Sequence, residues 1–451
     1  MRALGHGVRR WSVTVGASIA LLAVAVMSPT AAAADEPAPA AVDAARWLAD
    51  EIDDAGGMPG MVGTDWGLTI DALIALEATG AAPDVAQRIT DGLKIHVRDY
   101  NSHDAWGQPG QRIAGATAKL LYAAVVTGSD PEAFGDYDLR QETLDLIAGT
   151  EAGLEDGRVK DLVLAPSIDN SNTFGQSLAV LGLSRSGGVP QNAVDFLIDQ
   201  QCSVGGFRLY PYAFGGSVVT GNCDEQGDAA VLDPDSTGMA VQALLAAAEL
   251  GDVDGAEAAA KKGADWLKSI QKSDGSFGGS GPTAAPNTNS TGLAGQALAA
   301  AGHQAEADIA ADWVKRHQLV ADTAGAASAD LGAIAYNGDS LAEARSNGIA
   351  QFQRDQWRRA TPQAVLAVAQ VSLGEIGLVT PTPPPNPGGG DDGGPSPSPT
   401  GPPNSSTGPT PPPMAQLPVT GSPILTIAGV GAVLVVAGLM TLHIARRKEL
   451  S

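Results

Sequence analysis

Three copies of a short polar block carry the side chains of this sequence that are best suited to chemistry. They run from Asn170 to Gly175, from Asp233 to Gly238 and from Asn287 to Gly292, with Asn or Asp at the first and third positions. The carboxyls of the second copy could act as acids if their surroundings kept them protonated. Asn cannot donate a proton, yet it caps the N-terminus of a helix as well as Asp does. Helix capping therefore accounts for all three copies, and we favour it over catalysis.

The chain contains two cysteines, Cys202 and Cys223. The export signal described below places both in an oxidising compartment, where an even number of cysteines indicates a disulfide. A Cys202–Cys223 bond would close a loop of about 20 residues and stabilise the fold by roughly 3 kcal/mol.

Composition limits the classes of function that the chain can have. Its 451 residues carry a formal net charge of -23, and no cluster of Lys and Arg lies in the central region, which argues against nucleic-acid binding. Hydrophobic residues make up 44% and aromatic residues only 4%, so the core must be built from Ala, Leu and Val, a composition that favours closely packed helices. The histidines show no metal-ligand spacing, and we expect neither a metal site nor a cofactor.

Both ends of the chain have the pattern of an exported and anchored protein. Residues 1–34 combine early arginines, an apolar stretch and a run of alanines, which is typical of a signal peptide. Residues 380–416 are rich in Pro, Gly and Ser, and we expect them to form a disordered stalk. Residues 424–444 are uncharged, long enough to span a bilayer, and followed by basic residues.

A five-residue motif stands directly before this apolar segment, at the start of residues 417–451. Its residues are Leu417, Pro418, Val419, Thr420 and Gly421. They resemble the LPxTG sorting signal of Gram-positive surface proteins at every fixed position. The resemblance implies that a sortase cleaves after Thr420 and joins this residue to peptidoglycan, which makes both of them partners. We expect a secreted protein that is held in the membrane before sorting and then anchored to the cell wall; a plain membrane anchor is the alternative.

A longer repeat occupies the region between the two ends. Residues 195–207 match residues 265–277 at a constant offset of 70, from an Asp-aromatic-Leu start to a Gly-x-Phe end. Each unit has room for two helices, and repeated helix pairs must stack to bury their apolar faces. The pattern allows an open solenoid or a closed ring.

These repeats resemble those of prenyltransferase β subunits and squalene cyclases, over most of residues 41–378. The resemblance implies an all-α fold, an α/α toroid of about five to seven helix pairs around a central funnel. It also implies an alternative function, a terpenoid-cyclase-like enzyme in which Asp235, next to Asp233, is the general acid. Zinc-dependent prenyl transfer is not expected, because the chain has no Asp-x-Cys motif.

A second alternative comes from the stretch Cys223 to Gln226, which is similar to the Cys-Gly-Glu-Gln motif of thioester domains. A thioester between these two side chains would make the protein a covalent adhesin. It would also leave Cys202 as a free thiol.

Ligand binding or adhesion without catalysis is the function we favour from the sequence. In a toroid the repeated blocks would gather helix N-termini, with their dipoles, at one mouth of the funnel. The ligand could be a polar small molecule, a glycan or a protein. The candidate binding residues are Asn170, Asn172, Asp233, Asp235, Gln242, Asn287, Asn289 and Gln296.

Overall fold

The computed structural model describes residues 38–378, except 61–62, 105–106, 165–166, 213–217 and 252. The predicted signal peptide, stalk and sorting signal lie outside these residues, and so does the predicted transmembrane segment 424–444. No helix within the described ranges is long and apolar enough to cross a membrane.

The described residues form fourteen α-helices, and only isolated β-bridges join their loops. The helices are α1 Pro39–Glu51, α2 Trp66–Thr79, α3 Pro83–Ile95, α4 Val97–Asn101, α5 Ala114–Val126, α6 Leu139–Asp145, α7 Thr173–Arg185, α8 Gln191–Asp199, α9 Pro234–Leu250, α10 Ala256–Ile270, α11 Thr288–Ala300, α12 Gln304–Lys315, α13 Gly338–Asn347 and α14 Arg354–Ala369.

Six of these helices form an inner ring. In order they are α2, α5, α7, α9, α11 and α14; each packs against the next, and α14 packs against α2. The ring is therefore closed. Inner helices are buried on all sides, as expected for the wall of a narrow barrel, and α5 buries nearly every residue.

Six further helices, α1, α3, α6, α8, α10 and α12, pack on the outside of the ring. Each is amphipathic, and α10 shows why: Ala256, Ala260, Gly263 and Leu267 are buried at helical spacing. The predicted α/α toroid is confirmed, with six helix pairs in the described part of the chain.

One hydrogen bond recurs around the ring and defines the repeat. A Thr or Gln of an inner helix accepts a hydrogen bond from a backbone N–H of the turn that follows an outer helix. The pairs are Met58 N to Thr69 Oγ1, Val159 N to Gln176 Oε1, Phe207 N to Thr237 Oγ1, Phe277 N to Thr291 Oγ1 and Ile334 N to Thr361 Oγ1, all between 2.8 and 3.0 Å.

This register corrects the sequence alignment of the first block by two residues. The structure matches Gln176 to Thr237 and Thr291, whereas the aligned blocks matched Phe174 to them. Asn172 therefore corresponds to Asp233, and Asn170 lies outside the helix start. The shared glycines misled the alignment because they serve close helix contacts: a Cβ at Gly175 would lie 3.1 Å from the Gly115 Cα of α5.

Residues 370–378 close one end of the ring. The Leu373 N–H donates to Gln242 Oε1 (2.9 Å), and Tyr122 Oη donates to the Leu373 carbonyl (2.9 Å). Gln296 Nε2 donates to the Val371 carbonyl (2.6 Å). These contacts lie toward the C-terminal ends of the inner helices, so the interior is a blind funnel that opens where the inner helices begin.

Candidate functional site

The mouth of the funnel is organised by side chains that cap the inner helices. Asp65, Asn172, Asp233 and Asn287 each accept a hydrogen bond from a backbone N–H three residues on, at 2.7–3.0 Å. The predicted capping role is thus confirmed for one member of each of the three blocks. Asp233 also accepts a hydrogen bond from Ser280 Oγ (2.6 Å), so both of its carboxylate oxygens are engaged.

A second set of residues forms what we call the mouth layer, two residues before the recurring Thr or Gln of each inner helix. Phe174 of α7 lines the central cavity, and the same position holds Asp235 in α9 and Asn289 in α11. In α14 it holds Arg359, whose Nη2 lies 2.6 Å from Asp65 Oδ2. Asn289 Nδ2 links the mouth layer to α14, since it donates to the Arg359 carbonyl (2.9 Å) and to Gln363 Oε1 (2.8 Å).

The next layer lies two residues after the recurring Thr or Gln and surrounds a small cavity on the ring axis. Its members are Asp71, Lys119, Leu178, Met239, Leu293 and Gln363, with one from each inner helix. The floor is formed by residues such as Tyr122 and Leu373. The cavity measures about 30 Å³, which is room for about two water molecules.

Asp71 and Lys119 form an ion pair in the wall of this cavity, with Oδ1 and Nζ 2.6 Å apart. Lys119 Nζ also donates to the Gly67 carbonyl (2.9 Å). Burial raises the pKa of the Asp71 carboxyl, and the charge of Lys119 opposes the rise. Both charges are compensated locally, so this wall offers no free cation to an anionic ligand.

Asp235 supplies a carboxyl to the mouth layer, and the pKa of this carboxyl is strongly raised. Burial and the neighbouring Asp233 charge raise its pKa from 3.8 to about 8, and Ser290 opposes them. The Ser290 hydroxyl acts on Asp235 as a hydrogen-bonding neighbour, although the contact is not a well-aligned hydrogen bond in the described structure. At neutral pH the carboxyl is therefore mostly protonated and can donate a hydrogen bond.

Gln242 and Gln296 do not reach the mouth with the other candidate binding residues. They lie deeper in the ring, where Gln242 Nε2 donates to Gln296 Oε1 (3.0 Å) and both bond to the closing segment. Asn170 is exposed in the loop before α7, and its backbone N–H donates to Asp161 Oδ2 (2.9 Å).

Sequence reasoning missed Arg359 and Phe174 as residues of the mouth. Phe174 was hidden by the two-residue error of alignment. Arg359 comes from α14, whose repeat lacks the Asn or Asp block; the signal that could have found it is Thr361, two residues further on.

The predicted disulfide is confirmed: Cys202 and Cys223 are bonded, with their Cα atoms 4.7 Å apart. This bond leaves neither thiol free and contradicts the Cys223–Gln226 thioester. Gln226 instead accepts a hydrogen bond from Nη1 of the buried Arg208 (2.7 Å), which also donates through Nε to Gln200 Oε1 (2.9 Å). The Gln226 side chain, which a thioester would need, instead helps to hold the buried Arg208 guanidinium in place.

These features define an α/α-toroid protein with a closed ring and a blind funnel. No protein-family model and no curated protein matches the chain. Among solved structures it is similar to a protein from Actinoplanes, with 18% identity over 74% of this chain and 99% of that one (TM-score 0.47). It is also similar to the type II terpene cyclase MstE from Scytonema (15%, 73% and 96%, TM-score 0.48) and to the unsaturated glucuronyl hydrolase from Bacillus sp. GL1 (12%, 73% and 95%, TM-score 0.46).

Proposed function

We propose that the chain is an exported, wall-anchored protein whose toroid binds a small polar ligand at the mouth of its funnel. The observation that carries this proposal is the shape and polarity of the funnel. It is blind, its cavity has room for about two water molecules, and the mouth layer above presents the partly exposed polar side chains of Asp235, Asn289 and Arg359. A ligand would therefore rest on the mouth layer and not inside the ring.

The position of the chain's end supports display on a stalk. Leu378, the last described residue, follows the segment that closes the far end of the ring, and Gly377 packs against the Val126 carbonyl at the end of α5. A stalk at residues 380–416 would attach the toroid by its closed end. Anchoring through Thr420 would then leave the mouth free to face the surroundings of the cell.

Anchoring is tested by expressing the full chain in a Gram-positive host. We expect the wild type in the wall fraction and its release only by peptidoglycan hydrolysis. Thr420→Ala, or deletion of the host sortase, should move the protein to the membrane fraction. An unchanged wall fraction in the variant would contradict sortase anchoring, and a wild type found only in the membrane fraction would favour a plain membrane anchor.

Ligand binding is tested on protein released from the wall, with probes of four classes: neutral sugars, organic anions, organic cations and apolar terpenoids. We expect binding of one polar class, weakened by Phe174→Ala at the mouth. Leu250→Ala is the control, since Leu250 is exposed at the C-terminal end of α9, away from the mouth. Equal effects of both variants would argue against a site in the funnel.

The terpenoid-cyclase alternative is favoured by one observation, the raised pKa of Asp235, which keeps a carboxyl protonated as a cyclase acid requires. The small cavity opposes it. So do the charges, because Lys119 and Arg359 are each paired with carboxylates and offer no free cation to a diphosphate. Incubation with squalene and with a polyprenyl diphosphate should give no cyclic product; a product that disappears in Asp235→Asn would establish the enzyme.

A further inference from the structure

The funnel wall carries more negative than positive charge. In the mouth layer and the layer below it, the positively charged side chains are Arg359 and Lys119. Arg359 contacts two carboxylates, and Lys119 contacts Asp71. Asp233 and Asp235, in contrast, have only uncharged hydrogen-bonding neighbours within the described ranges. The α9 side of the mouth therefore lacks a compensating positive charge.

Asp235 brings this negative charge to the surface of the funnel. The residue is partly exposed, and only Oδ1 of its two carboxylate oxygens is fully covered by protein atoms. Burial and the charge of Asp233 raise the pKa of this carboxyl to about 8, because no positive charge offsets them. A cation on the mouth layer would stabilise the ionised carboxylate and lower that pKa. The carboxyl is thus placed to meet a positively charged ligand.

Phe174 supplies an aromatic ring beside this carboxyl. It holds the same position of the mouth layer on α7, which packs next to α9, and it is partly exposed. Packed helices lie about 8–10 Å apart, so a small ligand between them can contact both side chains. The face of an aromatic ring attracts cations, and Leu178 and Met239 continue the apolar surface into the cavity below. This surface favours a cation that carries carbon groups.

A metal ion fits this position less well than an organic cation. Ca²⁺ and Mg²⁺ take about six or more oxygen ligands. Asp235 supplies a single carboxylate that is partly covered. No group of three or more metal-binding side chains occurs in the part of the chain that the structure describes. An anion would be repelled by the carboxylates, so an organic cation remains as the class of ligand that matches the site.

We propose that Asp235 and Phe174 form a subsite for a small organic ammonium ion that rests on the mouth layer. This inference rests on the proposed binding function and adds the charge class of the ligand. The Asp235 carboxylate pairs with the ammonium group, and the Phe174 ring contacts its carbon substituents.

Binding of such a cation releases a proton at neutral pH. The Asp235 carboxyl is mostly protonated there, and it must lose its proton to the solvent before it can pair with the cation. Asp233 and Tyr336 are the titratable groups that act on or feel this carboxyl in the described structure. Burial raises the pKa of the Tyr336 phenol, which stays neutral. The affinity for the cation should therefore increase as the pH rises toward 8 and above it.

The test is isothermal titration calorimetry on the purified exported protein with three probes of matched shape. Choline is the cation, neohexyl alcohol replaces its trimethylammonium group with an uncharged tert-butyl group, and tert-butylacetate is the anion. We expect choline to bind, and the other two probes to bind at least about tenfold more weakly. MgCl₂ should not displace choline beyond the effect of NaCl at equal ionic strength. Equal binding of choline and the alcohol, or specific displacement by Mg²⁺, would overturn the inference.

A pair of charge-removing variants on one helix locates the subsite. Asp235→Asn keeps the shape of the side chain and should weaken choline binding about tenfold. Glu249→Gln removes the same charge from the exposed far end of α9 and should leave the binding unchanged. The melting temperature of each variant shows that it is folded. Equal choline affinities of the wild type and folded Asp235→Asn would overturn the inference.

The pH profile separates a direct role of Asp235 from a structural one. Choline keeps its charge at every pH, so any pH dependence of binding belongs to the protein. The affinity of the wild type should rise at least about tenfold between about pH 6 and pH 9, and this rise should persist in Glu249→Gln but disappear in Asp235→Asn. A rise that persists in Asp235→Asn would assign the charge to another residue and contradict the proposal.

The two levels of proposal fail in different ways. If choline does not bind but a probe of another polar class does, and Phe174→Ala weakens it, the binding function stands and the ammonium subsite is wrong. If no probe of any class binds, both proposals are wrong.

Discussion

Replacing Asp235 with Asn tests whether a neutral buried carboxyl lowers the stability of the folded protein. Its pKa is raised from 3.8 to about 8 by burial and by the charge of Asp233. Because the folded pKa lies above the unfolded one, the unfolded chain loses this proton first as the pH rises. The stability that this group contributes is fully present below pH 3.8. It is lost progressively as the pH rises from 3.8 to about 8.

The size of the effect follows from the same shift. The free energy of unfolding falls by up to about 1.4 kcal/mol per pH unit over this window, which gives at most about 4 kcal/mol at pH 7. Asn has nearly the same shape and no proton to lose. The Asp235→Asn variant should therefore be more stable than the wild type by up to that amount at pH 7, and by almost nothing near pH 4.

The assay is urea unfolding of both proteins between about pH 4 and pH 9, followed by circular dichroism. The quantity of interest is the difference between variant and wild type, in which the titration of other groups cancels. The exposed Asp322→Asn serves as the control and should show a small difference that does not depend on pH. If Asp235→Asn is no more stable than the wild type at any pH, the carboxyl is ionised and well solvated, and the reasoning is refuted.

Three further predictions concern the frame of the funnel. Replacing both Cys202 and Cys223 with Ser should lower the free energy of unfolding by roughly 3 kcal/mol in urea, and a difference that persists under reducing conditions would contradict a disulfide origin. Lys119→Met should lower the free energy of unfolding by roughly 3 kcal/mol, because it leaves the buried Asp71 carboxylate without its partner charge. Adding Asp71→Asn should restore most of that stability. A double-mutant cycle without such recovery would show that the pair is not coupled. Gln242→Ala should lower the free energy of unfolding by about 1–2 kcal/mol and speed hydrogen exchange at the Leu373 amide, while the exposed Gln87→Ala on α3 should do neither; equal exchange in both would mean that Gln242 does not hold the closing segment.

The toroid was expected only from the family resemblance, whereas the repeat pattern itself was sufficient to predict stacked helix pairs, because each copy specifies an outer helix, a turn and an inner helix. It could not predict closure of the ring, which depends on α14 and its contacts with α2. The copy at α14 is degenerate in sequence, and Thr361 alone carries the common hydrogen bond. The roles of Gln242 and Gln296 were also beyond sequence reasoning, since their partners belong to a closing segment that no repeat encodes.

The structure also changes the choice between capping and binding at the Asn and Asp blocks. The second and third blocks each contain a residue of each kind. Asp233 and Asn287 turn back to their own helix N-termini, and replacing either with Ala should cost about 1 kcal/mol of stability. Asp235 and Asn289, two residues later, lie in the mouth layer and keep oxygens without partners. In the second and third blocks, a cap at the first position fixes the start of the helix, and this fixed start holds the third position at the mouth.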